Sequence, residues 1–97
     1  MVKILHLTLK KKWFDLIKSG KKKVEYREVK DYWTARLCPI TYIKKFDFIV
    51  FRNGYGKKSP RIKVEWKGMD YEEFEGKMCY AIKLGKVVKI FLGDELK

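Results

Sequence analysis

Gly20-Lys21-Lys22-Lys23-Val24-Glu25-Tyr26-Arg27-Glu28 decides how the rest of the chain is organised. The glycine ends a helix, because it turns the chain through positive φ without a Cβ penalty. Residues 22–29 then alternate as a strand. Val24 and Tyr26 are expected to face the core. Glu25 and Arg27 share the opposite face, close enough to pair or to converge on a ligand, with Lys22 at the strand's start. A core needs none of these charges, so they are assigned to the rim of a cleft.

On the N-terminal side, residues 2–9 alternate with Leu5, Leu7 and Leu9 inward. Residues 11–19 form a helix whose apolar face is Leu9, Trp13, Leu16 and Ile17, at i, i+4, i+7 and i+8. Downstream, Asp31 is positioned to cap a short helix over 32–37, and Pro39 bars its continuation. Residues 46–52 read as a central strand covered on both sides. It ends in the turn-rich Arg52-Asn53-Gly54-Tyr55-Gly56. A further strand over 61–67 turns Ile62, Val64 and Trp66 inward. Residues 70–76 read as an acidic connection. Next come a strand over 79–84, a two-residue turn at Gly85-Lys86 and a strand over 87–92. Residues 93–97 read as a frayed tail. Several short strands with one main N-terminal helix and a short second one predict an α+β domain, its five to six strands curled into a small barrel that removes its own edges, with an open sheet the alternative that periodicity also allows.

The 97 residues suffice for a single domain spanning 1–97. An apolar fraction of 46% places the chain among folded proteins. Cys38 and Cys79 stand alone and His6 is the single histidine, so no metal site, cofactor or disulfide framework is expected. Two free thiols, no membrane-length apolar run and no signal peptide predict a cytoplasmic protein without a membrane partner. The net charge is +12. Its positive potential draws polyanions. Lys10-Lys11-Lys12, Lys18, Lys21-Lys22-Lys23, Lys57-Lys58 and Arg61 carry much of it, whereas Asp70, Glu72, Glu73 and Glu75 gather the acids.

The motif Gly20-x-Lys22-x-x-Glu25-x-Arg27 reproduces the GxKxxExR signature of ASCH domains, and the chain resembles the compact stand-alone bacterial and phage members over nearly its whole length. A strand, a helix closing on the signature glycine and a late Tyr80-x-Ile82-x-Leu84-Gly85 strand all fit. The resemblance implies a PUA-like β-barrel with the signature lining a cleft between barrel and helix. It implies RNA, single-stranded or structured, or a nucleotide or nucleoside, as ligand, with roles in RNA processing or translation. Some members are enzymes. One branch deacylates N4-acylated cytidine with the signature lysine, a threonine and a glutamate; this chain has Glu25 at the threonine's position, leaving Lys22 and Glu25 as a catalytic acid–base pair. Another type cleaves single-stranded RNA with a divalent metal.

The residues can also be weighed by their own chemistry. Lys22 can bind phosphate as a point charge, or be one more solvated lysine. Glu25 can accept hydrogen bonds from a base edge or act as a general base, or form a surface ion pair worth ~0.5 kcal/mol. Arg27 can grip phosphate through two bonds, or pair with Glu25. Arg52 and Asn53 are expected to project past the rim, although Asn53-Gly54 also suits a plain turn. Tyr55, flanked by glycines, is a candidate for stacking on a base, whereas Trp33 and Trp13 read as core. His6 reads as structural and Glu28 as surface. An adaptor docking an acidic protein is the remaining alternative.

Overall fold

The computed structural model describes residues 2–38, 44–56 and 58–91. Its elements run β1 (Ile4–Leu9), α1 (Lys11–Lys18), β2 (Val24–Glu28), α2 (Asp31–Leu37), β3 (Phe48–Asn53), β4 (Arg61–Phe74) and β5 (Lys77–Phe91). The strands make one mixed sheet in the order β1-β3-β4-β5-β2. Only β1 and β3 are parallel; the other neighbours are antiparallel. The fold is α+β, as expected, but the sheet is not closed into a barrel: β1 and β2 remain its two edges. No described helix is long and apolar enough to cross a membrane.

The alternation of β1 holds, since Leu5, Leu7 and Leu9 are buried and His6 is exposed. They pack with Ile49 and Phe51 of β3, Ile62 and Val64 of β4, and Tyr80, Ile82 and Leu84 of β5. From the helices, Phe14, Ile17 and Leu37 enter this cluster. Trp13 does not: it is 40% exposed. An eight-residue helix lays only a narrow stripe on the sheet, and here Phe14 and Ile17, three apart, occupy it. Asp31 is not the cap of α2. Lys30 holds that position without a side-chain bond, and Asp31 lies in the first turn, where its charge complements the helix dipole. Thr34 Oγ1 and the Tyr80 hydroxyl, 2.5 Å apart, fasten α2 to the sheet.

The acidic run read as a connection is strand. β4 continues to Phe74, and the chain reverses at Glu75 and Gly76, both at positive φ (52° and 80°). Two consecutive left-handed residues match the twist of the flanking strands. Nor does the chain turn at Gly85-Lys86, because β5 runs unbroken to Phe91. Gly85 instead permits close approach: a Cβ there would lie 2.9 Å from Glu65 Cβ and 2.7 Å from Lys67 Cε. Register shifts between Lys63 and Met69 bend this long hairpin. One half of β4 therefore pairs with β3 through Arg61–Glu65, while the far half of β5 pairs with β2 through Cys79–Lys83. β3 is thus second in the sheet rather than central, and its outer face is covered by Lys63 over Phe48 rather than by a helix. The last residue of the expected 87–92 strand and the 93–97 tail lie outside the described residues, as does Pro39.

Candidate functional site

Local backbone bonding aims the signature. Gly20 takes φ 83°. Its N–H bonds the Ile17 carbonyl at 3.0 Å, and the amides of Lys21 and Lys22 both bond the Leu16 carbonyl, at 3.0 and 3.1 Å. Lys22 is thereby held against the end of α1 before the strand begins. It escapes strict strand parity and turns toward Glu25.

The burial pattern of β2 is the reverse of the one expected. Glu25 is the buried residue, at 6% exposure, whereas Val24 and Tyr26 are half-buried. Arg27 donates to Glu25 Oε2 at 2.7 Å, and Lys22 Nζ lies 3.5 Å from Glu25 Oε1. The two cations retain 18% of their side-chain exposure. A buried carboxylate persists when each oxygen meets a cation, and that pairing inverts the simple apolar-inward rule. Each cation also lies on aromatic faces. Arg27 stands 4.9 Å from the Trp33 ring, and Lys22 Nζ 5.2 Å from Trp13 and 5.7 Å from Tyr26. Tyr26, expected in the core, stacks on Phe74 at 4.1 Å.

Arg27 has one further bond, to the Thr8 carbonyl at 3.4 Å. Thr8 belongs to one edge strand and Arg27 to the other, so this side chain spans the gap that the backbone leaves open. A cleft of about 630 Å³ lies there, within the range of small-ligand sites. Lys22, Glu25 and Arg27 all line it, as do Asn53 and Tyr55. Tyr55 is 85% exposed, consistent with a ring available for stacking. Arg52 is not in this cleft. Strand alternation sends it to the outer face of the sheet, where it donates to the Gly56 carbonyl at 2.7 Å and lines a separate hollow with His6 and Arg61.

Sequence reasoning missed several lining residues. Trp13, Lys10, Thr8, Phe74 and Glu75 all border the cleft. Phe74 and Glu75 are hidden by reading 70–76 as a connection, since Met69 and Tyr71 alternate with Asp70 and Glu72 as a strand would but Glu73 and Phe74 break the pattern. The lining cations, Lys10, Lys22 and Arg27, face two carboxylates, Glu25 and Glu75. Positive charge is thus only slightly in excess within the cleft, and the lysines exposed around it on α1 and the turn after it supply the rest.

Chemically, the site offers a carboxylate on its floor that can accept from an amino group, cations beside it for phosphate, and aromatic walls for a flat ring. Among the described residues, no three or more His, Cys, Asp or Glu side chains are grouped to hold a metal ion. On the far side of β2, Glu28 accepts from Lys77 at 2.8 Å and pairs with Lys30 at 2.9 Å. Those bonds, Lys77's foremost, hold its carboxyl at about 2. Tyr71 is pushed up to about 12, first by hydrogen bonding with Tyr80 and then with Cys38. Comparison with known proteins gave no matching family model, no matching curated protein and no matching solved structure.

Proposed function

We propose that the cleft binds RNA, or a nucleotide of it, and that the chain is an RNA-binding domain of the ASCH kind, acting in RNA processing or translation-related regulation. The observation that carries this reading is the meeting of Lys22, Glu25 and Arg27 in one aromatic-walled cleft. The signature residues come from a turn and a strand, yet both cations share a single carboxylate. The curled sheet, its edges linked by Arg27 to Thr8, is on this reading an opened version of the PUA-like barrel.

Binding of labelled single-stranded RNA, followed by anisotropy across a salt series, tests the proposal. Affinity should fall with salt, with a slope of about 0.7 for each phosphate neutralised. Lys22→Gln and Arg27→Gln should each weaken binding and flatten that slope. An affinity unchanged between low and moderate salt would refute it.

A second reading rests on the Lys22–Glu25 ion pair, 3.5 Å apart, which would tighten to hydrogen-bond distance on substrate binding to act as the acid–base pair of an amidohydrolase on N4-acylated cytidine. Turnover of acylated cytidines, lost in Glu25→Gln while nucleoside binding persists, is its signature. A metal-dependent ribonuclease is read out in the same assay with labelled RNA and Mn²⁺. The adaptor alternative predicts a stoichiometric complex with an acidic protein and no RNA binding.

A further inference from the structure

At the Arg52 end, the outer face of the sheet concentrates cations. In register across three strands, Thr8 stands opposite Arg52 and Arg52 opposite Arg61. The adjacent row sets His6 opposite Val50, Val50 opposite Lys63, and Lys63 opposite Lys89. Glu65 lies further along β4, opposite Phe48 and beside Lys67, and the other acids of this face, Asp70, Glu72 and Glu28, lie at its far end opposite Ala81 and Cys79. Directly opposed side chains on antiparallel strands have Cβ atoms roughly 5 Å apart, so Arg52 against Arg61 sets like charges side by side, whereas the ammonium groups of Lys63 and Lys89 diverge toward Phe48 and Phe91. Among the described residues, none of these four cations forms an ion pair.

A plain explanation is that long cationic stems cover an apolar sheet face. It fits the two lysines, whose ammonium groups lie over Phe48 at 4.2 Å and Phe91 at 4.8 Å. It does not fit the two arginines. The Nε of Arg52 and the Nε of Arg61, like that of Arg27, are withdrawn from solvent and have no hydrogen-bond partner among the described residues. Among the described residues, neither the Arg52 nor the Arg61 guanidinium lies over an aromatic ring as the two ammonium groups do. Both side chains instead line a hollow of about 210 Å³ shared with His6, Leu7, Thr8 and Val50. Arg52 is further fixed by its bond to the Gly56 carbonyl.

We propose that this hollow binds a phosphate group. Two adjacent guanidiniums present a planar, multi-donor surface that matches a tetrahedral oxyanion. The anion would be held by the terminal guanidinium nitrogens and would neutralise the Arg52–Arg61 repulsion. His6 and the Thr8 hydroxyl stand at the hollow as further partners. Thr8 also borders the cleft, so the two sites meet at one rim of the sheet. A backbone phosphate of a strand leaving the cleft is one source, and that assignment rests on the function proposed above. Free phosphate is the other.

Titration of the ¹⁵N-labelled protein with inorganic phosphate, followed through the arginine Nε–Hε signals, tests the hollow itself. The Arg52 and Arg61 signals should shift and saturate, chloride at equal ionic strength should not reproduce this, and Arg61→Gln should abolish the Arg52 shift. Signals that stay still, or that follow chloride equally, overturn the proposal. A labelled oligouridylate then identifies the source. Arg61→Gln lowering affinity about fivefold, with the salt slope reduced by about 0.7, assigns the hollow to the RNA backbone. Unchanged RNA affinity, with the phosphate shifts intact, assigns it to free phosphate. A wild-type protein that binds no RNA refutes the cleft reading, and the phosphate titration still decides the hollow.

Discussion

Replacing Glu25 by glutamine removes the one anion between Lys22 and Arg27 while preserving shape. The cost can be worked from the geometry. Glu25 is 6% exposed, one of its oxygens lies 2.7 Å from Arg27, and the other lies 3.5 Å from Lys22. Taking one partner from a buried ion pair costs about 3–5 kcal/mol, because the other charge is left uncompensated. Here each cation keeps 18% of its exposure, so water recovers part of that loss, and the amide oxygen still accepts one bond. We expect a net destabilisation of about 2–3 kcal/mol. At about 4–8 °C per kcal/mol for a domain of this size, the melting temperature should fall by about 10–20 °C. Thermal unfolding followed by circular dichroism reads it. A double-mutant cycle with Arg27→Gln should return a coupling above ~1 kcal/mol, since the single losses overlap. A destabilisation under ~0.5 kcal/mol would mean that the charges are solvated independently, and the argument for a carboxylate-centred site would fall.

Trp13→Ala separates the two views of that ring. A core tryptophan would cost about 3–5 kcal/mol, whereas one 40% exposed and lying beside Lys22 should cost under ~2 kcal/mol while weakening RNA binding. Gly85→Ala should destabilise by about 1–3 kcal/mol, because the new methyl meets Glu65 Cβ at 2.9 Å and backbone must move; a neutral result in chemical denaturation would contradict the close approach. Glu28, its folded carboxyl held at about 2 by Lys77 and then Lys30, contributes stability that is present above its unfolded value near 4.5 and lost as pH falls through about 2. Melting temperatures from pH 6 to pH 2 should therefore decline less steeply in Glu28→Gln than in the wild type.

Much of the local structure was legible in the sequence. The leucines of β1, the positive φ of Gly20 and the turn after Asn53 come from side-chain period and backbone sterics, which act within a few residues. The grouping of the signature was legible too, since Glu25 and Arg27 share one strand face by alternation alone. What alternation left open was which face is buried. Tertiary structure decided it: two cations from different local structures surround one carboxylate, so Glu25 goes inward and Tyr26 moves out to stack on Phe74. The same holds for β4 and β5. Acidic composition and a Gly-Lys pair read locally as a connection and a turn, but β4 and β5 pair with each other from Phe74–Lys77 to Arg61–Phe91, which holds both segments in one bent hairpin between β3 and β2. Arg52 shows the limit most plainly. Its position at the end of β3 was readable, whereas its neighbours on the outer face, His6 and Arg61, belong to strands that only the sheet order brings beside it. Chain period fixes direction within a strand, and strand order, set by burial of the whole core, fixes the company each side chain keeps.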